Sequence, residues 1–460
     1  MTLAPDIVAG RWSALCVKES PWRDPAAAAG AFADEPFALA LLSDGSGQGR
    51  WSYLLRKPER TLTAGDGDPL AEAAAMLGAP VATDGDGPPF QGGLAGLAAY
   101  ELGLRYEPEV RAGRDSDWPD LIVGLYPALL AFDHHERRVL ALGRGRDPAE
   151  ALERATSARA WLDGPPSPTR EGRLAERFEP LGQPHIYRQA VADVVARIEA
   201  GEIFQANIAR GWGGRLTDGV RPFDLFFRLA AQSAAPFAAY GRWPGLALVS
   251  NSPERFVRAH ADGRVETRPI KGTRPRSDDP DEDAHLAAEL SDSAKDRAEN
   301  LMIVDLMRND LSRVSTPGSV RVPDLWRLET FANVHHLVST VTGRLRPGAT
   351  ALDLMAAAFP PGSVTGAPKV QAMRVIAALE PPRGPYCGSV FWAGFDGAFD
   401  SSVLIRTASF VEEPGVKGGG GWRFEARAGA GIVADSDPPM ESDETEAKIG
   451  AIARAFGAIP

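Results

Sequence analysis

Cysteine is nearly absent: Cys16 and Cys387 are the only two in 460 residues. Two thiols are too few for a disulfide framework or a thiolate metal quartet, and they point to a reducing compartment, the cytoplasm. No run of eighteen apolar residues occurs, so no transmembrane helix is expected. Met1-Thr-Leu-Ala-Pro-Asp6 lacks the basic region and apolar core of a secretory signal. Positive charge is in deficit, with 50 Lys and Arg against 61 Asp and Glu and a formal net charge of −11. Nucleic acid requires a basic face, so that class of partner is excluded. Small anionic substrates stay open, because a bound cation inverts the local field. No internal repeat is present. The remaining composition, 44% hydrophobic and 24% charged, is that of an ordinary globular chain.

The chain divides at Asp163-Gly-Pro-Pro-Ser-Pro-Thr-Arg-Glu-Gly172, which has the turn chemistry of a linker. A first domain over residues 1–162, a linker over 163–184 and a second domain over 185–460 are therefore expected. In the first, residues 50–55 read as a strand and 70–77 as a short helix. Pro89-Phe-Gln-Gly-Gly-Leu-Ala-Gly-Leu-Ala-Ala-Tyr-Glu-Leu-Gly103 is glycine-rich, but its spacing fits neither G-x-G-x-x-G nor a P-loop with its Lys. Close backbone packing is the expected reason for these glycines. In the second, Tyr187, Val191, Val194 and Ile198 mark one face of a helix that Gly201 stops. Residues 203–208 follow as a strand containing Gln205. The glycine tract at 415–421 reads as a surface hairpin loop.

Residues 250–276 carry the densest pattern. Two extended runs flank Asp262-Gly263, a strong hairpin signal. A two-residue turn there places Glu254 directly opposite Lys271, within side-chain reach. By strand alternation the pair shares a face with Phe256, Val265 and Thr267. From spacing alone this is either a cross-strand ion pair at a solvated edge or a functional pair pointing inward. Pro253 and Pro269 warn of an irregular ladder.

Two further helices bear carboxylates. Ser291 to Asp310 starts with Asp/Ser capping chemistry, and Lys295 and Glu299 are spaced as a surface i,i+4 pair. Pro439 to Phe456 has an apolar stripe of Thr445, Ile449, Ile452, Ala453 and Phe456. Glu441, Glu444 and Lys448 fall at the margin of that stripe. Charges there need pairing or a cation. Oxygen ligands from few carboxylates suit Mg²⁺, though solvated helix ends explain the spacing as well.

Ser252-Pro-Glu-Arg-Phe256 followed by Arg268-Pro-Ile-Lys-Gly-Thr-Arg-Pro-Arg276 resembles the chorismate-binding core of the anthranilate synthase component I superfamily. Lys271 resembles the aminodeoxychorismate synthase branch, since anthranilate synthases carry Ala in that slot. Further blocks match in order: Asn333 to Ser339, Pro360-Pro-Gly-Ser-Val-Thr-Gly-Ala-Pro-Lys369, Ile405-Arg-Thr407, Gly429-Ala-Gly431 and the helix at 439–456. The glycine-rich segment at 89–103 resembles the superfamily's N-terminal domain. Phe391 and Trp392 depart from it, standing where Gly and Tyr are usual.

The resemblance implies an α+β fold: two antiparallel β-sheets packed as a sandwich, helices outside, the active site between. It implies Mg²⁺ on Glu299 and Glu444, with Glu441 beside them, and Lys448 on a substrate carboxylate. His336 matches the active-site histidine, Arg406 with Tyr386 the grip on the enolpyruvyl carboxylate, and Thr365 the loop block. Gly429, Ala430 and Gly431 would offer backbone N–H groups to an anion, and Gln205 matches the ammonia-using branches. Glu254 would protonate the departing C4 hydroxyl of chorismate, and Lys271 would attack C2 as an amine. Neither cysteine lies in the Gly-x-Cys-x-Gly elbow of a glutaminase, so ammonia is expected from a separate amidotransferase subunit.

Overall fold

A computed structural model describes residues 11–458 except 47–48, 82, 84, 112, 114–115, 166–169, 233, 332–333 and 414–420. Among the described residues the strands form two sheets, one of twelve strands and one of ten, and every pairing is antiparallel. Leu39, Tyr53, Trp243 and Leu248 of the first sheet and Ala95, Ile122, Val390 and Trp392 of the second share one buried core. That shared core makes the molecule a sandwich. Helices close the outer faces: Phe223, Phe226, Ile449 and Phe456 pack on the first sheet, and Ile303, Met307, Leu352 and Met355 on the second.

The linker does not divide the sheets. Ala38–Leu42 pairs with Phe237–Trp243 in one, and Gly93–Ala98 pairs with Ser389–Gly394 in the other. Residues on both sides of 163–184 thus build both layers. The glycine-rich segment is a strand whose glycines are steric. A Cβ at Gly93 would lie 2.0 Å from the Ala393 carbonyl oxygen, and one at Gly96 2.1 Å from that of Ile122. Phe391 and Trp392 point to opposite sides of their strand, as alternation requires. Phe391 stacks on Phe399 at 5.6 Å and Trp392 on Phe90 at 4.9 Å.

Helix ends follow their capping residues. Asp68 caps Pro69–Leu77, and Ser293 caps Ala294–Ser312, accepting from the Asp296 N–H. The second of these starts a few residues after the expected point, because Pro280–Asp292 is a separate helix that ends there. Asp437 caps Pro438–Phe456, which Gly457 ends with a left-handed φ of 72°. Pro184–Glu199 buries Tyr187, Val191 and Val194 and stops before Gly201, φ 76°. Most of the glycine tract at 415–421 lies outside the described residues; Thr407–Glu413 and Gly421–Ile432 flank it as a hairpin.

One buried ion pair braces the helices around the site. Lys369, first residue of Lys369–Leu379, donates to Asp310 Oδ2 at 2.6 Å and to the Ala358 carbonyl. Burial pushes the Asp310 carboxyl up to about 6. Lys369→Met should cost about 3–5 kcal/mol, because it strands a buried carboxylate. Urea unfolding checks this, and the loss should shrink as the pH falls and Asp310 takes up a proton.

Candidate active site

The hairpin at 255–267 is built one residue away from the expected register. Arg258 faces Glu266 and Ala259 faces Val265. His260 and Arg264 close a three-residue loop in which Gly263 has a φ of 81°. Lys271 therefore does not stand opposite Glu254. It lies on Ile270–Pro275, which pairs instead with Val334–Arg344, and the register slips between Ile270 and Thr273. That one-residue bulge re-aims the Lys271 side chain. Gly272 permits it with a φ of 83°, at a place where a Cβ would lie 2.7 Å from Leu290.

Glu254 and Lys271 are still brought together, by the bulge and not by cross-strand opposition. Each lies in the other's field. Burial pushes the Glu254 carboxyl up, against a 2.7 Å hydrogen bond from Ser363 Oγ to its Oε1 and the charge of Lys271. Burial pushes the Lys271 amine down, against the charges of Glu299, Glu254 and Glu444 and with help from Lys448. Desolvation thus favours a protonated acid beside a neutral amine, the states a general acid and a nucleophile need.

Glu299 on Ala294–Ser312 and Glu441 and Glu444 on Pro438–Phe456 approach from two helices. Lys295 pairs with Asp435 at 3.1 Å, joining those helix starts, where a local Lys295–Glu299 pair was the sequence expectation. Burial pushes Glu299 and Glu441 up, and Glu441 is pushed further by Glu444. Lys448 bonds Glu444 Oε1 at 2.5 Å and the Gly429 carbonyl at 3.0 Å. Among the described residues no three His, Cys, Asp or Glu side chains form a ready metal cluster.

Gly429–Gly431 is a laddered strand segment, paired with Ala209, Ile208 and Asn207. Ala430 turns its methyl into the core behind the sheet. The two glycines supply space, and their pairs with Asn207 and Ala209 exchange no backbone hydrogen bond, since those N–H groups turn to Thr365 and Glu380. A Cβ at Gly431 would lie 3.2 Å from Lys271 Nζ and 3.3 Å from Gln205 Nε2. One at Gly429 would lie 2.7 Å from Asn207 Oδ1 and 2.9 Å from the Tyr386 hydroxyl. Thr365 is fully buried and its hydroxyl donates to the Pro361 carbonyl, so it fixes the loop that presents Ser363.

Beyond Gly272 the wall is His336 and Arg406, beside a cavity of about 830 Å³ that Pro253, Arg268, Ile270 and Phe331 help to line. His336 Nδ1 meets Thr273 Oγ1 at 2.9 Å. Burial and the Arg406 charge push the His336 imidazole down to about 4. Arg406 (φ 51°) and Cys387 (φ 61°), next to Tyr386, both hold left-handed backbone, strain of the kind that gathers at functional sites. Ser363 and Asn207 were not legible as site residues: a serine in a loop and an amide in a strand read as ordinary surface chemistry.

The fold thus sets an acid and a desolvated amine in each other's field, brings carboxylates from two helices to bear on that amine, and holds an arginine beside a neutral histidine, groups that belong to an enzyme active site. The chain belongs to the chorismate binding enzyme family, whose sequence profile matches residues 39–454. It is 42% identical over 368 residues to aminodeoxychorismate synthase component 1 of Salmonella typhimurium, covering 79% of this chain and 76% of that one. It is 40% identical to anthranilate synthase component 1 of Thermus thermophilus over 396 residues, 84% of this chain and 82% of that one. Among solved structures, anthranilate synthase component I from Streptococcus pneumoniae superposes with a TM-score of 0.74 at 26% identity, covering 98% and 94% of the two chains.

Proposed function

We propose that this chain is the aminating component that converts chorismate and ammonia to 4-amino-4-deoxychorismate and water, feeding 4-aminobenzoate and folate synthesis. The carrying observation is Lys271, a desolvated amine on a bulged strand in the field of Glu299, Glu254 and Glu444. Arg406 and Tyr386 hold the enolpyruvyl carboxylate, Lys448 the ring carboxylate. Glu254, held by Ser363, gives its proton to the C4 hydroxyl, which leaves as water. Lys271 Nζ bonds to C2 as the ring double bonds shift. Ammonia then bonds to C4 and Lys271 departs, with the pyruvyl ether intact. His336, kept neutral by burial, packs between Thr273 and Arg406 and orients that wall.

Ammonia comes from a separate glutamine amidotransferase subunit. Cys387, the buried cysteine, has its thiol pushed up to about 12 by burial and is no glutaminase nucleophile. No helix among the described residues is long and apolar enough to cross a membrane.

The carboxylates fit Mg²⁺ in kind. Glu441 and Glu444 repel one another, and Asp296 and Asp435 add to the negative field at Glu299, strain that a cation relieves. Glu299 and Glu444, with Glu441, would hold the ion, which supplies Lewis-acid stabilisation at the ring carboxylate when bound. Glu299→Gln and Glu444→Gln should each abolish turnover with the fold intact by circular dichroism. Undiminished wild-type activity in excess EDTA contradicts the assignment. The amination reading is tested by incubating the chain with chorismate, Mg²⁺ and an ammonium salt. 4-Amino-4-deoxychorismate without pyruvate supports it; anthranilate with stoichiometric pyruvate moves the chain to the anthranilate synthase branch.

A further inference from the structure

Arg383 is buried, 4% exposed, and the chemistry above makes no use of it. Its guanidinium donates from Nε and Nη2 to the two oxygens of Glu380, at 3.0 and 2.9 Å. The rest of the fork goes to backbone: Nη1 to the Val364 carbonyl at 3.0 Å and Nη2 to the Asn207 carbonyl at 2.6 Å. Glu380 Oε1 also accepts from the Ala209 N–H at 2.8 Å. The main chain beneath is fixed as well, since the N–H groups of Arg383 and Gly384 donate to the two carboxylate oxygens of buried Glu101. The guanidinium lies 4.7 Å from the centre of the Tyr100 ring and 5.9 Å from that of Tyr386.

A buried ion pair is poor evidence for stability, because an apolar pair of the same volume often does as well. What a guanidinium adds is direction, a rigid planar fork that binds several acceptors at fixed angles. Here the acceptors belong to two separate segments of the site. Asn207 and Ala209 lie on the strand Gln205–Arg215. Val364 follows Ser363, whose hydroxyl donates to Glu254. The segments also meet through the Asn207 N–H, which donates to the Thr365 carbonyl at 2.8 Å. Arg383 therefore spans the seam that sets where Ser363 stands.

We infer that Arg383, braced by Glu380, is a positioning residue for the general acid: it pins the loop of Ser363 to the strand and so sets the hydrogen bond from Ser363 to Glu254. The inference rests on the amination reading above, in which Glu254 gives a proton to the C4 hydroxyl. Arg383 acts through Val364 and Ser363, so its effect on the acid should vanish once the Ser363 hydroxyl is gone. The charge that faces Glu254, Lys271, stays in place throughout.

The test uses the full chain with chorismate, Mg²⁺ and ammonium chloride. Arg383→Lys keeps a positive charge for Glu380 but cannot reach both carbonyls. The Ser363 bond favours the charged carboxylate, so weakening it raises the Glu254 pKa, and an acid that works protonated stays active to higher pH. Arg383→Lys should therefore move the alkaline limb of kcat/KM to higher pH and lower kcat about tenfold, a fraction of what a positioned acid contributes. In a Ser363→Ala background the same substitution should move the limb no further. The double variant Glu380→Gln/Arg383→Gln strands no buried charge; it should give the same shift, and it carries the test where Arg383→Lys fails to fold. A melting temperature that falls while the limb stays put overturns the inference, and so does a shift that adds to that of Ser363→Ala. A wild-type chain that makes no 4-amino-4-deoxychorismate overturns the amination reading itself, which separates the two failures.

Discussion

Lys271→Ala should leave a slow enzyme that has changed its product. The substitution removes the amine that blocks and attacks C2, but it leaves Glu254, Arg406, Lys448 and the carboxylates in place. The emptied volume lies against Gly431, where no Cβ intrudes. Ammonia can then reach C2 directly, as in the branch that carries Ala in this slot. Residual turnover should therefore shift toward C2-aminated product, with some anthranilate. If Lys271 only balanced the charge of Glu254, its loss would change the rate and pH profile while nitrogen still entered at C4. Chromatography against both product standards separates the outcomes. A variant making only 4-amino-4-deoxychorismate at near wild-type rate ends the nucleophile assignment.

Glu254→Gln should show the larger fall in rate, about 10²–10⁴-fold in kcat, the usual contribution of a positioned general acid. The amide keeps the shape and the Ser363 contact but has no proton to give. Chorismate binding should survive, so KM should move little. The pH profile offers an independent check. Glu254 acts protonated, its carboxyl is pushed up by burial, and the Ser363 hydrogen bond pulls it back down. Ser363→Ala removes that restraint, so the alkaline limb of kcat/KM should move to higher pH. A limb that moves to lower pH, or a Glu254→Gln enzyme with normal kcat, contradicts the assignment.

The helices and the glycine-rich strand were legible because their causes are local. A cap, an apolar stripe and a stop glycine act within a few residues, and each left its mark in the sequence. The two-sheet sandwich was legible only through the resemblance, because strands such as Ala38–Leu42 and Phe237–Trp243 meet across most of the first half of the chain. The Glu254–Lys271 register was misread because regular pairing was assumed. Gly263 makes a three-residue loop, and the bulge at Lys271–Gly272 moves that lysine onto another strand partner. Asn207 escaped because burial is a property of the assembled sheets, and an amide in a strand carries no sign of it. That Glu299 and Glu444 both act on Lys271 likewise depends on how two helices dock, which spacing cannot encode.

The central claim is that Lys271 is a nucleophile, and one measurement addresses it directly. The chain is incubated with chorismate and Mg²⁺ without ammonium, quenched, reduced to peptides and weighed. The account predicts that the peptide containing Lys271 gains the mass of chorismate less one water, and that added ammonium removes this gain while 4-amino-4-deoxychorismate appears. An unmodified Lys271 peptide in an enzyme that turns over once ammonium is supplied would contradict it.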